Sequence, residues 1–507
     1  MRLYFHGPEG ADLRQLGFGW AEGRWHYPVE QMMLTLFPGQ KPEYPVAPPD
    51  LTGEGPAADL TLERAGDRVV FTARILWEGR RAEGRTDLPA AGLEAPPDRA
   101  YRPLSRGLKL SFYQAGTALL GREPAWGALT GVRPVKLPTR VLTAGGTLEA
   151  ARAELEEDYR VSPARAGLAL DCARATLAVR ERLGPEEVSL YVGVPFCPTR
   201  CAYCSFVSAD VGRTLGLLEP YTQALCREVA AAGAGLRRAG RKVRSVYFGG
   251  GTPTTLSADQ LHRVMSALED HVDLSGCTEY TVEAGRPDTI TAEKLSVLRA
   301  HGCDRVSVNP QSMSPDVLRA IGRAHTPEDI LRAWDLVTQA GFPVRNMDLI
   351  AGLPADSEAG FRDSLDRVLA LGAENVTVHT LALKKGSRLM LEGSGLPDGE
   401  AVAAMLDYAW QTLRTAGYVP YYLYRQKYMS GGFENVGWCR PGTESIYNIC
   451  MMEELHSILS LGSGGVTKLI SPGGGITRLS NPKYPKEYIE HIDGIAAQKE
   501  RLDWPAG

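Results

Sequence analysis

Between residues 186 and 395 the chain repeats one pattern. Short runs of β-branched and aromatic residues alternate with longer stretches of helical spacing. Val188–Val194 reads as a buried strand ended by Pro195, and a helix follows from about Leu217 to Ala232. Val243–Phe248 predicts the next strand, with a helix over Ser257–Asp270. Thr278–Glu283 is a third strand, followed by a helix over Ala292–His301. Arg305–Asn309 leads into a short helix, Val344–Ile350 into a helix over Ala359–Leu371, and Asn375–Leu381 closes the series. Such alternation predicts an α/β fold with a parallel sheet and right-handed crossovers. Six units suit a doubly wound sheet or an incomplete (β/α) barrel. In both, the C-terminal ends of the strands share the face where ligands bind.

The flanks break this pattern. Residues 1–100 mix strand-like pieces, such as Arg68–Leu76, with a Pro/Gly-rich loop over Pro38–Pro56. Residues 104–183 read as mainly helical, broken near Gly131–Pro134. Residues 396–507 open with a helix over Gly399–Ala416 and carry a turn at Gly473–Gly475, as in a small α+β cap. The expected division is an N-terminal accessory region over 1–183, a core over 186–395 and a cap over 396–507. The first region suits a docking domain or a lid.

Composition narrows the function classes. The 507 residues carry 56 Lys and Arg against 60 Asp and Glu, a net charge of −4. No global positive field is available to hold nucleic acid. No run reaches the roughly 18 apolar residues of a membrane span. The opening MRLYFHGPEGADLRQ has no apolar signal core, so the chain is expected to be cytoplasmic. Nine cysteines, an odd number, argue against a disulfide scaffold and turn attention to metal binding.

Six cysteines are scattered and read as small hydrophobes: Cys172, Cys226, Cys277, Cys303, Cys439 and Cys450. Cys197, Cys201 and Cys204 instead form C-x3-C-x2-C directly after the first strand. Structural zinc wants four ligands in two pairs, and no second pair exists. A redox dithiol would not need the third thiol. Three thiolates on one loop can hold three corners of a cubane iron–sulfur cluster and leave one iron open. The second strand ends in Gly249–Pro253, which is neither a P-loop nor GxGxxG. It reads as a tight turn or, beside the cysteine loop, as a cofactor contact. Glu283 ends the third strand, where its carboxylate can accept hydrogen bonds from ribose hydroxyls.

These residues together resemble the radical S-adenosylmethionine enzymes: the cysteine spacing with Tyr203 before the last thiol, the GGGTP loop, the strand-end Glu283 and the six units. Tyr191-x-Gly-x-Pro-Phe-Cys197 is similar to the oxygen-independent coproporphyrinogen III dehydrogenases and their haem-chaperone relatives. Phe433–Glu444, Tyr447–Asn448 and Leu461–Thr467 resemble motifs of that subgroup's C-terminal region. Leu129–Lys136 and Asn309–Ser312 look like the longer HemZ-like branch.

The resemblance implies a partial (β/α)6 radical-SAM barrel with an N-terminal α+β extension and a C-terminal α+β cap. It implies a [4Fe–4S] cluster on Cys197, Cys201 and Cys204, with S-adenosyl-L-methionine, one molecule or two. Tyr191 would approach the cluster-bound cofactor and Tyr203 its adenine. Gly250, with Gly251 and Thr252, would bond its methionine end through backbone groups, and Glu283 its ribose. Gln311, Arg323 and Asp348 match positions around a second S-adenosylmethionine, and Val466 a position that closes over the adenine. Two positions depart from the dehydrogenases: Gly193 replaces a histidine, and Phe206 stands where a fourth cysteine is often found. The implied reaction is oxidative decarboxylation of two coproporphyrinogen III propionates to vinyl groups through a 5′-deoxyadenosyl radical, giving protoporphyrinogen IX. A low-potential donor such as flavodoxin or ferredoxin would supply electrons. A tetracarboxylate calls for cations, with Arg133, Lys136, Lys384, Lys385, Arg425, Lys427 and Lys468 as candidates. The Tyr421–Tyr428 run reads as a half-buried strand. Two alternatives remain: a haem chaperone, using His379 at a strand end or His456 on a predicted helix as axial ligand, and an enzyme acting on another tetrapyrrole.

Overall fold

The computed structural model describes residues 1–6, 26–45, 51, 53, 55–92, 97–204, 209–210, 214–383, 387–389, 396–426 and 432–505. Phe206, Lys384, Lys385 and Lys427 lie outside them. The chain forms two compact units: Met1–Leu170 with Gly431–Phe433, and Asp171–Ser430 with Glu434–Gly507.

The first unit is α+β. Strand β1 (Arg2–His6) and helix α1 (His26–Leu36) precede β2 (Ala57–Ala65), β3 (Arg68–Trp77), β4 (Arg80–Pro89) and helix α2 (Pro97–Leu120). The sheet order is β1-β2-β3-β4, parallel at the first pair and antiparallel after it. Apolar stripes of the two helices, including Met32, Met33, Phe112 and Leu119, share one core with Phe71 and Ile75. Gly84 lets α2 approach β4. A Cβ there would stand 2.1 Å from the Ser111 carbonyl oxygen.

The second unit begins within helix α3 (Pro163–Arg180) and contains the predicted alternation. Its parallel strands are β5 (Glu187–Val194), β6 (Lys242–Gly250), β7 (Glu279–Gly285), β8 (Arg305–Gln311), β9 (Val344–Ala351) and β10 (Asn375–Thr380). Between them run α4 (Leu218–Arg238), α5 (Ala258–His271), α6 (Ala292–Ala300), α7 (Pro327–Gln339) and α8 (Glu358–Ala370). The strands pair in chain order, which is the partial (β/α)6 barrel expected. Strand β5 is buried on both faces apart from Glu187 and Tyr191, which are half-buried, as a helix-covered parallel strand must be. Capping boxes at Ser257–Gln260 and Thr326–Asp329 start α5 and α7.

The strands of residues 396–507 join the barrel sheet at both edges. After helix α9 (Gly399–Thr415) come β11 (Val419–Arg425), β12 (Glu434–Cys439), α10 (Ile446–Glu453), β13 (Ile458–Leu461), β14 (Val466–Ile470) and β15 (Ile476–Ser480). Strands β12 and β11 extend the barrel sheet antiparallel beyond β10. Strand β13 pairs parallel with β5 at the other edge, and β14 and β15 follow it. One eleven-stranded sheet results. Helices α11 (Pro485–Glu490) and α12 (Ile492–Glu500) end the chain. No helix among the described residues is long and apolar enough to cross a membrane.

One buried carboxylate ties this C-terminal segment to the barrel. Glu279, at the start of β7, accepts hydrogen bonds from Ser445 Oγ (2.8 Å), Ile446 N (2.5 Å) and Tyr447 N (3.1 Å). It thereby satisfies the free amides at the α10 N-terminus. Glu279→Ala leaves those donors buried and unpaired. It is expected to destabilise the protein by about 2–4 kcal/mol, against about 1 kcal/mol for Ser445→Ala, in urea unfolding.

Candidate active site

A parallel strand shows alternate side chains to opposite faces. On the barrel strands the inward positions are unusually polar. Tyr247, Glu283, Asn346, Asp348, Thr377 and His379 line a cavity of about 110 Å³. Tyr247 Oη donates to Glu283 Oε1 at 2.5 Å. Asp348 Oδ1 accepts from Asn346 Nδ2 at 2.7 Å, and His379 Nε2 stands 3.8 Å from Asp348 Oδ2. Burial would raise the Asp348 carboxyl, yet His379, Asn346 and Thr377 together hold it below its ordinary value. Glu283 has less help. Burial, reinforced by the Asp348 charge, pushes its carboxyl up to about 7 against the Tyr247 bond and His379.

Aromatic rings floor the neighbouring space. Tyr447 of α10 stacks on Tyr247 with centroids 4.3 Å apart and planes 18° apart. Tyr191 lies 6.3 Å from Tyr447 and 6.4 Å from Tyr247. A Cβ on Gly249 would come within 3.1 Å of both the Tyr191 and Tyr247 rings and 3.3 Å of Glu283 Oε2, so glycine is what lets these three groups meet.

The cysteine loop sits over the ends of β5 and β6. Cys197, Cys201 and Cys204 are in no disulfide, and each is half-buried. Gly251 N donates to Val194 O (2.8 Å) and Thr252 N to Phe196 O (2.7 Å). The backbone donors expected of Gly251 and Thr252 for a methionine end are therefore already used. What this turn offers is closeness. A Cβ on Gly251 would lie 2.5 Å from Phe196 O and 2.9 Å from Cys197 Sγ. Gly250 adopts φ +114°, and Thr252 Oγ1 points at Cys197 Sγ from 3.6 Å.

Two buried guanidinium groups flank the loop. Arg323 donates to Asn309 O (2.7 Å) and Tyr203 Oη (3.2 Å). Burial works against its charge, but Tyr203 and Cys201 beside it hold its pKa above the ordinary value. Arg286 contacts Thr199 and Cys201 from the end of β7. Gln311 ends β8 in the left-handed region, φ +68°, with its side-chain oxygen buried and unpaired. Asn309 Oδ1 and both ring nitrogens of His325 are likewise buried without partners. Of the three second-cofactor candidates, Asp348 lines the cavity with Glu283. Arg323 packs on the cysteine loop instead.

Gly193 has a physical reason. Tyr221 Oη donates to Gly193 O (2.6 Å) and accepts from Ser463 N (2.9 Å). A Cβ at 193 would stand 3.3 Å from the carbonyl oxygens of Leu461 and Ser463. The space of a side chain is filled by the loop that leads to Val466. Buried Glu228 holds that loop through Gly462 N (2.7 Å) and also accepts from Asn481 Nδ2 (2.8 Å) and Tyr488 Oη (2.6 Å). Lys499 Nζ balances its charge from 3.6 Å.

Other expectations are corrected. His456 is not helical: it lies between α10 and β13, buried, with Nε2 on Ser189 Oγ at 2.7 Å. Burial pushes its pKa down to about 4. It serves the packing of β5 and is not open to haem. None of the seven candidate cations lines the cavity among the described residues; the guanidinium that does is Arg305. Arg133 and Lys136 belong to the first unit, Lys468 Nζ lies on Met451 Sδ (3.0 Å), and Arg425 is buried opposite Glu434. Tyr421 and Tyr422 are fully rather than half-buried and line the cavity. Arg286, Tyr221, Glu228, Glu279 and His325 carry no sequence signal of their own. Only the three-dimensional register brings them to the site.

The raised Glu283 carboxyl links pH to stability. Its folded value, about 7, exceeds its unfolded value of 4.5, so the folded state holds the proton more tightly. This favours folding below the unfolded value and is lost as pH rises through the folded one. Glu283→Gln cannot ionise. Relative to wild type it should gain roughly 1–3 kcal/mol between pH 4.5 and pH 7 and then level off, as read by urea unfolding across that range. Parallel curves would show that Glu283 is not perturbed.

Comparison with known proteins agrees with this geometry. The radical SAM superfamily pattern fits residues 191–368, which span the cysteine loop and β5 to β9. The chain is 41% identical over 456 residues to the oxygen-independent coproporphyrinogen-III oxidase-like protein HemZ of Bacillus subtilis, covering 88% of this chain and 90% of that one. It is 31% identical over 319 residues to the heme chaperone HemW of Mycobacterium tuberculosis, covering 61% and 75%. The solved coproporphyrinogen III oxidase HemN of Escherichia coli, described as a radical SAM enzyme, superposes with a TM-score of 0.51 at 25% identity, over 64% of this chain and 73% of that one. Radical SAM proteins bind a [4Fe–4S] cluster and S-adenosylmethionine. The fold, the cysteine loop and the extent of the HemZ match agree, and the chain belongs to the radical SAM superfamily, within its HemZ-like branch.

Proposed function

We propose that the protein is an oxygen-independent coproporphyrinogen III dehydrogenase that converts two propionates to vinyl groups and yields protoporphyrinogen IX. The observation that carries this reading is the 41% identity to a coproporphyrinogen-III oxidase-like protein across nearly the whole chain, with the cysteine loop and Glu283 at one barrel mouth.

The donor set fits the cofactors. Three thiols outside any disulfide stand beside two buried guanidinium groups, against a glycine turn that has no room for a Cβ. Among the described residues no three ligands close on a single metal ion. A cubane gives each thiolate its own iron, so its ligands stand apart. Cys197, Cys201 and Cys204 would hold the cluster. Tyr191, Tyr203, Gly250 and Glu283 would hold S-adenosylmethionine, with Val466 covering it, while the amides of Gly251 and Thr252 stay bonded within the turn. Gln311 and Asp348 are the candidates left for a second molecule, since Arg323 is engaged with Asn309 O and Tyr203 Oη. When bound, the pair supplies a reducing electron and a carbon-centred oxidant for an unactivated C–H bond.

The chain's own work is to bind, orient and exclude water. About half protonated near neutral pH, the Glu283 carboxyl can both donate to and accept from a diol. The tyrosine stack gives an adenosyl group an apolar wall. The cavity of about 110 Å³ is below the roughly 300 Å³ or more of a ligand pocket, so the cofactor and a tetrapyrrole alike need room beyond it. Each conversion takes one hydrogen atom, one electron and carbon dioxide from a propionate. A low-potential flavodoxin or ferredoxin is the electron donor this scheme calls for.

A second reading, a haem chaperone, is favoured by the 31% identity to HemW over three quarters of that protein. Anaerobic reconstitution with reductant, S-adenosylmethionine and coproporphyrinogen III separates the two. The proposal expects a divinyl product. Cofactor cleavage without any vinyl product would contradict it, and stoichiometric haem binding with transfer to an apoprotein would favour the chaperone. Separately, replacing Cys197, Cys201 and Cys204 together by alanine should abolish iron content and the brown absorption. Iron at the wild-type level would place the ligands elsewhere.

A further inference from the structure

Strand β7 delivers two charged residues three positions apart to different places. Glu283 turns into the barrel. Gly285, at φ +61°, then bends the chain, and Arg286 reaches the cysteine loop. Arg286 is only 3% exposed. One edge of its guanidinium grips the spacer between the first two cysteines: Nη1 donates to Thr199 O (3.3 Å) and Nη2 to Thr199 Oγ1 (3.1 Å). Nη1 also lies 3.7 Å from Cys201 Sγ. The other edge meets Asp288, with Nε at 3.2 Å from Oδ1 and Nη2 at 3.3 Å from Oδ2. The Asp288 side chain is 34% exposed, so water screens its charge more than that of Arg286.

Burying a guanidinium costs several kcal/mol unless every edge is engaged, as it is here. A strap for a three-residue spacer needs hydrogen bonds but no net charge. The charge acts elsewhere. A cation with an N–H aimed at a ligating sulfur favours the extra electron of a reduced cluster, and hydrogen bonds to sulfur and local charge are what set such potentials. Cys201 has the Arg286 guanidinium at 3.7 Å and the Arg323 charge as a neighbour, whereas Cys197 is approached by the neutral Thr252 hydroxyl.

We infer that Arg286 is a positioning residue that straps the cysteine spacer and raises the reduction potential of the cluster, with Asp288 as the partial counter-charge that limits the rise. The inference rests on the reading of Cys197, Cys201 and Cys204 as cluster ligands.

The test is a redox titration of the reconstituted full-length protein, followed by the electron paramagnetic resonance of the reduced cluster, with iron per chain measured alongside. Arg286→Gln should lower the midpoint potential, Arg286→Lys should fall between it and wild type, and Asp288→Asn should raise it. Both Arg286→Gln and Asp288→Asn break the same ion pair, so a loosened loop would move them in the same direction. Opposite shifts report charge. Shifts of one sign, or potentials unchanged at full iron content, overturn the inference while leaving the cluster reading intact. If Arg286→Gln loads no iron, Arg286→Lys and Asp288→Asn decide by the same signs. A wild-type protein that binds no iron overturns the cluster reading and the inference with it.

Discussion

Polar side chains turned into the interior of a partial barrel find their partners mainly among one another, and that constraint organises the second unit. Glu283 and Asp348 face the same interior. Two carboxylates so placed cannot both ionise cheaply. The barrel separates them by neighbours. Asp348 receives His379, Asn346 and Thr377 and stays charged, whereas Glu283 has Tyr247 and is pushed towards neutrality. Two acids of similar type thus acquire different chemistry from the strands beside them.

The same economy governs the sheet's edges. The strands of residues 396–507 extend the barrel sheet, and buried carboxylates make the joints. Glu279 caps α10 and so brings Tyr447 onto Tyr247. Glu228 holds the Gly462 loop against Gly193, with Tyr221 bridging the two segments. In both places a buried acid is matched to backbone amides, where a charge-assisted hydrogen bond is strong. The site therefore depends on residues far from the cysteine loop in sequence.

This explains what could be read from sequence. The six strands and most helices follow from local apolar periodicity, their barrel order from the family resemblance, and the cysteine spacing from ligand chemistry. The edge strands did not follow, because a strand's partner is set by long-range register that no local pattern records. Helix α7 is marked locally by the capping box of Thr326 and Asp329, a signal that strand–helix alternation alone does not use. The candidate cations had no such pattern behind them, and none of the four that are described lines the cavity. Lysine and arginine in loops are too common for position alone to select a substrate contact. Arg286 was invisible because only the turn at Gly285 aims it at Cys201.

The central claim is that the cysteine loop and the Glu283 end of the barrel form one site, shared by a cluster and its cofactor. The most direct measurement is the electron paramagnetic resonance spectrum of the reduced, reconstituted protein before and after S-adenosylmethionine is added. The account predicts that the cofactor shifts the cluster's g-values in wild type, with a weaker response at equal concentration in Glu283→Ala. A cluster signal that S-adenosylmethionine leaves unchanged would contradict it.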